Sequence, residues 1–294
     1  MGHNATTVTE QINQLQSRGM TITNVEKAKE VLLDVGYYRL GFYWFPFEKP
    51  TKRGERRQHT FLPCANFDDA VKLYYFDYAM RNLIQKYLTR IEVNFRTLLI
   101  YTVSNKYPLY PTWFVSPKVV ERKYINKFDT EVNTSKFKRN KFIARHHKMH
   151  INDKYAPAWK TLEFMTLGNN IILFKSLSDI EIKKQISQHF GIKYTNVFEN
   201  YMDVLLCLRN TCAHGGLLYD IALYPLIRRG PAGVVGNESS TLRGAIKVVR
   251  YMLSCVSENR ANDFDKELQQ IFSKYITTTE LKSVLRKMSG YTEL

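Results

Sequence analysis

The chain is predicted to be all-α, and three observations carry that prediction. Apolar residues recur at helical rather than alternating spacing; capping side chains stand where those stretches begin and glycines where they end; and no βαβ alternation, strand ladder or internal repeat interrupts them. With 294 residues, 44% of them hydrophobic, there is ample material for a buried core in one large domain or two small ones.

Residues 8–17 predict a short helix closed by Gly19. Thr23 or Asn24 caps a second, which carries Val25, Ala28, Val31 and Leu32 to a stop at Gly36. The aromatic run 36–47 is expected to fold as a compact turn packed on the core. The loop 49–59 holds Lys52, Arg53, Arg56 and Arg57, cations able to touch RNA phosphates or simply to line a solvated loop.

Asn66 caps a long helical stretch lasting to about Asn105, with Asp68 and Asp69 at the positive end of its dipole. Asp77, Arg81, Arg90, Glu92 and Arg96 follow at spacings of an ion-pair row on a wet face. The other reading gives Glu92 and Arg96 a supporting role beside an active centre. Residues 118–148 are the most basic stretch, and Lys136, Lys138, Arg139, Lys141, Arg145 and Lys148 make it the best candidate for an RNA-facing surface. Its Tyr124, Phe128, Phe137 and Phe142 suit the buried stripe of an amphipathic helix pair better than a stacking platform.

Pro157 opens a helix that includes Glu163 and reaches Gly168, and a further helix runs to about Leu177. Asp179 caps the next, ending at Gly191. Thr195 or Asn196 caps the most apolar one, which carries Val197, Tyr201, Val204, Leu205 and Leu208. Residues 217–229 lack periodicity and 230–233 break the chain. Ser239 or Ser240 starts a helix to about Glu258, and two polar helices near 264–275 and 280–288 complete the series. The expected organisation is an N-terminal segment 1–65 packed on the core, a helical core 66–225, and a helical extension 226–294.

Lys and Arg number 43 against 27 Asp and Glu, a formal net charge of +16, which predicts a basic globular protein with a polyanionic partner. Cys64, Cys207, Cys212 and Cys255 form no CxxC pair and no disulfide framework, so they are read as reduced thiols in a cytosol. No basic-then-apolar leader and no run of about 18 apolar residues is present, so neither export nor a membrane partner is expected. His146, His147 and His150 lack an accompanying Cys or acidic cluster, so neither a metal nor any other cofactor is expected.

Chemistry concentrates in 205–216, where an apolar helix runs out into Arg209, Asn210 and His214 before Gly215 and Gly216. Glycine just past a helix is the expected stop, so His214 is predicted in the final turn, where the helix dipole favours a protonated imidazole. Five residues span roughly 140° of rotation and about 7.5 Å of rise, so Arg209 and His214 do not lie one above the other, whereas Asn210 and His214 share a face. A two-fold axis beside such an end places two Arg/Asn/His sets around one phosphate. The chemistry that fits is metal-free RNA cleavage through the 2′-OH, with Arg stabilising phosphoryl charge and an imidazolium protonating the leaving oxygen.

Five segments in order carry a resemblance: residues 36–47; Leu73-Tyr74-Tyr75-Phe76-Asp77 with Arg81; Arg90-Ile91-Glu92 with Arg96; Pro157-Ala158-Trp159 with Glu163; and Leu208-Arg209-Asn210-Thr211-Cys212-Ala213-His214. Together they resemble the ordered motifs of the Abi-like family, the AbiD/AbiF abortive-infection proteins of the HEPN superfamily. That resemblance implies a HEPN-like helical bundle with additional N-terminal and C-terminal helices. It also implies a dimeric endoribonuclease acting in phage defence or as a toxin, restrained by an inhibitory RNA or a protein antitoxin, with Arg209, Asn210 and His214 as its catalytic residues. The chain departs from the pattern where Gly215 follows His214 in place of a second His, and where Leu217-Leu218-Tyr219-Asp220 replaces Arg-Leu-Trp-Asn. The alternative is a non-catalytic module that holds a structured or inhibitory RNA on the same basic surface.

Overall fold

Helix starts fall where polar side chains meet the free backbone N–H groups of a first turn. A computed structural model of the chain describes residues 4–51 and 57–293, and among them fourteen α-helices and no strand form. The protein is all-α. Thr7 accepts from the Glu10 backbone while the Glu10 carboxylate accepts from Thr7, a reciprocal cap that opens α1 (Val8–Ser17). Asn24 accepts from the Lys27 backbone at 2.9 Å and opens α2 (Val25–Val35), which stops at Gly36 with φ +89°.

The chain does not make a compact turn after Gly36. It re-enters helix at once as α3 (Tyr37–Trp44), followed by a 3-10 turn Phe45–Phe47. Leu40, Tyr43, Trp44 and Phe47 fall at helical spacing and are all buried, so burial on one face outweighs the modest helix propensity of an aromatic run. Then comes α4 (Phe67–Lys106), 40 residues long and opened by Asn66, whose side chain accepts from the Asp68 backbone.

Two compact units share this helix. The first comprises residues 1–83, 217–221 and 266–294; the second comprises 84–216 and 222–265. In the first, Leu73, Phe76 and Met80 of α4 are buried along with Leu40 and Tyr43, and Tyr43 meets Tyr74 edge to face at 5.3 Å.

In the second unit the basic stretch is broken into α5 (Arg122–Lys127), a wide turn Phe128–Val132, α6 (Ser135–Lys138) and α7 (Lys141–Met149), rather than a pair of helices. Thr134 and Asn140 accept from the backbone of Phe137 and Phe142, and each such cap restarts the chain. The aromatic stripe divides accordingly. Tyr124 and Phe128 are buried, while Phe142 is 57% exposed, against the expectation of a continuous buried stripe.

The short α8 (Ala158–Thr161) and a 3-10 turn Leu162–Phe164 lead to α9 (Leu167–Lys175), and Asp179 caps α10 (Ile180–His189). The central helix α11 (Thr195–Ala213) follows Tyr194, with no side-chain cap from Thr195 or Asn196. It packs on α9, α10 and α12 (Leu242–Val256), the last of which follows Thr241 rather than Ser239 or Ser240. Phe95, Phe174, Phe190 and Phe198 form the ring cluster at this core, with centroids 5.3–5.9 Å apart. The chain then enters α13 (Glu258–Tyr275), which begins six residues before the expected 264, and ends with α14 (Thr279–Met288). Among the described residues no helix is long and apolar enough to cross a membrane.

Candidate active site

The candidate site is built by the way α11 ends. Val197, Phe198, Tyr201, Met202, Val204, Leu205, Leu208 and Cys212 are buried, which fixes the helix's rotation and leaves Asn210, Ala213 and His214 in solvent. Helical hydrogen bonding stops at Ala213, so His214 is the capping residue itself, at φ −96° and ψ 9°, one step beyond the final turn where the sequence placed it. Gly215 then takes φ +66°, a conformation that costs an L side chain about 1–2 kcal/mol. Its N–H donates to the Cys212 carbonyl at 3.3 Å and that of Gly216 to the Thr211 carbonyl at 2.7 Å, which is the paired closure of a Schellman motif.

The two glycines serve different ends. Gly215 supplies the left-handed turn, whereas a Cβ at Gly216 would sit 2.8 Å from Thr211 Cγ2 and 3.3 Å from its carbonyl oxygen. The buried face of α11 and these main-chain bonds therefore set where His214 stands.

One turn back, Arg209 is half-buried and its Nη1 donates to Asn210 Oδ1 at 3.2 Å. Among the described residues no carboxylate pairs with its guanidinium. Arg81 and Arg96 behave differently: Arg81 pairs with Asp77 at 2.9 Å, and Arg96 with Glu92 at 2.8 Å and Glu163 at 3.4 Å. An unneutralised Arg and an exposed His at the same helix end are groups that can receive a phosphate.

Glu92 and Arg96 thus form an intrahelical pair extended to Glu163, with the Arg96 Nε buried and unpartnered. The six candidate RNA-binding residues Lys136, Lys138, Arg139, Lys141, Arg145 and Lys148 are all exposed. Arg57 is taken up by Glu48 at 2.7 Å and lies over the Phe45 ring, and Lys52, Arg53 and Arg56 fall outside the described residues. His146 is buried against Asp153 at 3.1 Å and stacks on His150. No His/Cys/Asp/Glu group suited to a metal ion occurs among the described residues.

A family model described as Abi-like protein matches residues 30–220, about two thirds of the chain and a span that contains the whole α11 end. The chain belongs to the Abi-like family. No curated protein and no solved structure matches it. Membership is consistent with a role in abortive infection.

Within the first unit this Abi-like chain contains a buried polar centre whose role the sequence did not reveal. Asp77, fully buried, accepts from the backbone N–H of Tyr219 at 2.8 Å, from that of Leu218 at 3.0 Å, from Arg81 at 2.9 Å and from the Tyr43 hydroxyl at 3.1 Å. Burial pushes its carboxyl upward, and the Leu218 N–H, Arg81, the Tyr219 N–H and Tyr43 pull it back down. Tyr219 is further held by its hydroxyl, which donates to the Phe42 carbonyl, and by Ser289, which donates to the Tyr219 carbonyl. The segment that follows Gly216 is therefore clamped by residues 141 positions earlier in the sequence.

Proposed function

We propose that this Abi-like protein is a metal-independent endoribonuclease of the HEPN type. It would act in abortive infection or as the toxin of a toxin–antitoxin pair. The observation that carries this reading is the end of α11, where a guanidinium with no carboxylate partner among the described residues, an amide bonded to it and an exposed imidazole share a helix terminus closed by main-chain hydrogen bonds. The 2′-oxygen attacks the adjacent phosphorus and loses its proton to a base. Arg209 binds the phosphoryl oxygens as negative charge grows on them, Asn210 orients the guanidinium, and the His214 imidazolium protonates the departing 5′-oxygen. The P–O5′ bond breaks, leaving a 2′,3′-cyclic phosphate and a 5′-hydroxyl. A second copy across a two-fold axis brings a further Arg209/Asn210/His214 set to the same phosphate, so that Arg209 of one copy and His214 of the other can complete one site.

The test is to incubate the purified chain with mixed RNA in EDTA. Products ending in 2′,3′-cyclic phosphate, absent with Arg209→Ala and His214→Ala, support the reading. RNA that is retained but never cut favours the second reading, a non-catalytic module, for which the exposed cations of 136–148 and the net charge of +16 speak. A protein or RNA antagonist encoded alongside is the partner this function calls for.

A further inference from the structure

Helix α7 on one side and α8 with the turn that follows it on the other line an open cleft of about 380 Å³, to which no residue of the α11 end contributes and which falls within the ~300–1,000 Å³ range of ligand-sized sites. Phe142 and Arg145 line it from α7, one helical turn apart. Trp159, Lys160, Glu163 and Phe164 line it from the other side. The Phe142 and Phe164 rings are parallel to within 5° with centroids 5.3 Å apart. Phe142 is 57% exposed and Trp159 53%, so a stacking surface stands open to solvent.

Its charges are arranged for an anion. Arg145 is exposed and has no carboxylate partner among the described residues, and the Lys160 Nζ lies 3.4 Å from His146 Nδ1. Glu163, the single acid in the lining, accepts from Arg96. Lys141 and Lys148 of the same helix are exposed as well. Flat rings open to solvent beside two cations that no carboxylate neutralises among the described residues match an unstacked base and its phosphate. An apolar peptide would leave Arg145 and Lys160 without a counter-charge.

We infer that this cleft binds one unstacked nucleobase of single-stranded RNA, with the ring against Trp159 or Phe142 and the adjoining phosphate on Arg145 and Lys160. The inference rests on RNA being the molecule this chain handles; it adds where an unpaired stretch is held and that a duplex, whose bases are already stacked, does not fit.

The chain carries a built-in reporter. Of its three tryptophans, Trp44 is 4% exposed and Trp113 fully buried, so quenching of indole emission by a base reports Trp159. The experiment titrates the full-length His214→Ala protein, which binds without cutting, with a short oligoadenylate RNA, following both emission and the anisotropy of a label on the RNA. Emission should fall on binding. Trp159→Ala and Phe142→Ala should each weaken affinity roughly tenfold, while Trp159→Tyr, which keeps a π face, should retain most of it. Thermal melts of each variant establish folding. Unchanged affinity in Trp159→Ala with no quenching in the parent overturns the cleft, as does equal quenching by a duplex of the same length. If no RNA binds at all, the cleft and the RNA reading fall together. If RNA quenches Trp159 but the wild-type protein never cuts it, the cleft stands and the nuclease reading falls.

Discussion

At the scale of single residues, the end of α11 separates chemistry from stability. Asn210 and His214 are exposed and Arg209 half-buried with one side-chain hydrogen bond, so Arg209→Ala and His214→Ala should shift unfolding free energy by no more than about 0.5 kcal/mol. On the proposed mechanism the same changes should lower RNA cleavage by about 10²-fold or more, read from product formation under single-turnover conditions. Arg209→Lys keeps the charge but loses the planar fork, and should behave nearly as Ala does. The glycines invert this pattern. Gly215→Ala should cost about 1 kcal/mol in denaturant unfolding through its φ of +66°. Gly216→Ala should destabilise through Thr211 Cγ2, and adding Thr211→Ser, which removes that methyl, should recover part of the loss. Equal stability for single and double variants would refute the close approach. Asp77→Ala should be the most damaging single change, at about 3–5 kcal/mol, because it removes the carboxylate that pairs with buried Arg81 and accepts from two buried backbone N–H groups.

At the scale of elements, α7 and its neighbours carry a pH response. Burial, with Lys160 and His150 beside it, holds the His146 imidazole below its ordinary value, and Asp153 pulls in the opposite direction. The unfolded chain therefore takes up a proton near pH ~6.5 that the folded chain still refuses. The stabilisation is complete above that pH and is lost as pH falls through the lower folded value. Melting temperature should drop more steeply below pH ~6.5 in the wild type than in His146→Gln; parallel profiles would discount His146 as the cause. What was legible at this scale was whatever chemistry is local. Asn24, Asn66 and Asp179 cap the helices they were expected to cap, because a cap needs only its own next three residues. The helix α3 was not legible, since Tyr38, Phe42 and Phe45 are as aromatic as Tyr43 and Trp44, so the helical spacing of the buried set does not stand out from the exposed one until the chain folds. The same division holds at the site. Arg209, Asn210 and His214 lie at one helix end and are proposed from what is local to it, an apolar helix running out into polar residues before two glycines, whereas the grip of Asp77 on Leu218 and the meeting of Phe142 with Phe164 are products of folding.

At the scale of the whole molecule, a net charge of +16 would set how RNA is approached on the proposed reading. If the six exposed cations between Lys136 and Lys148 each displace a counterion from a single strand, raising salt from about 50 to 200 mM should weaken binding by about 10²-fold. Replacing Lys136, Lys138 and Lys141 by Gln should flatten that dependence in a filter-binding series. Mixing inactive Arg209→Ala with inactive His214→Ala should restore part of the cleavage if one site draws on two copies; an active monomer in sedimentation would remove that arrangement. The Schellman closure of α11 has a last consequence, for heredity. Because main-chain bonds shape the helix end and the exposed side chains of Asn210 and His214 project from it, the proposed activity could be lost without losing the fold. In a host whose growth this chain arrests, survivors selected from random mutagenesis that still make full-length, folded protein should cluster at codons 209, 210 and 214. Such alleles would persist as silent copies, one base change away from toxicity.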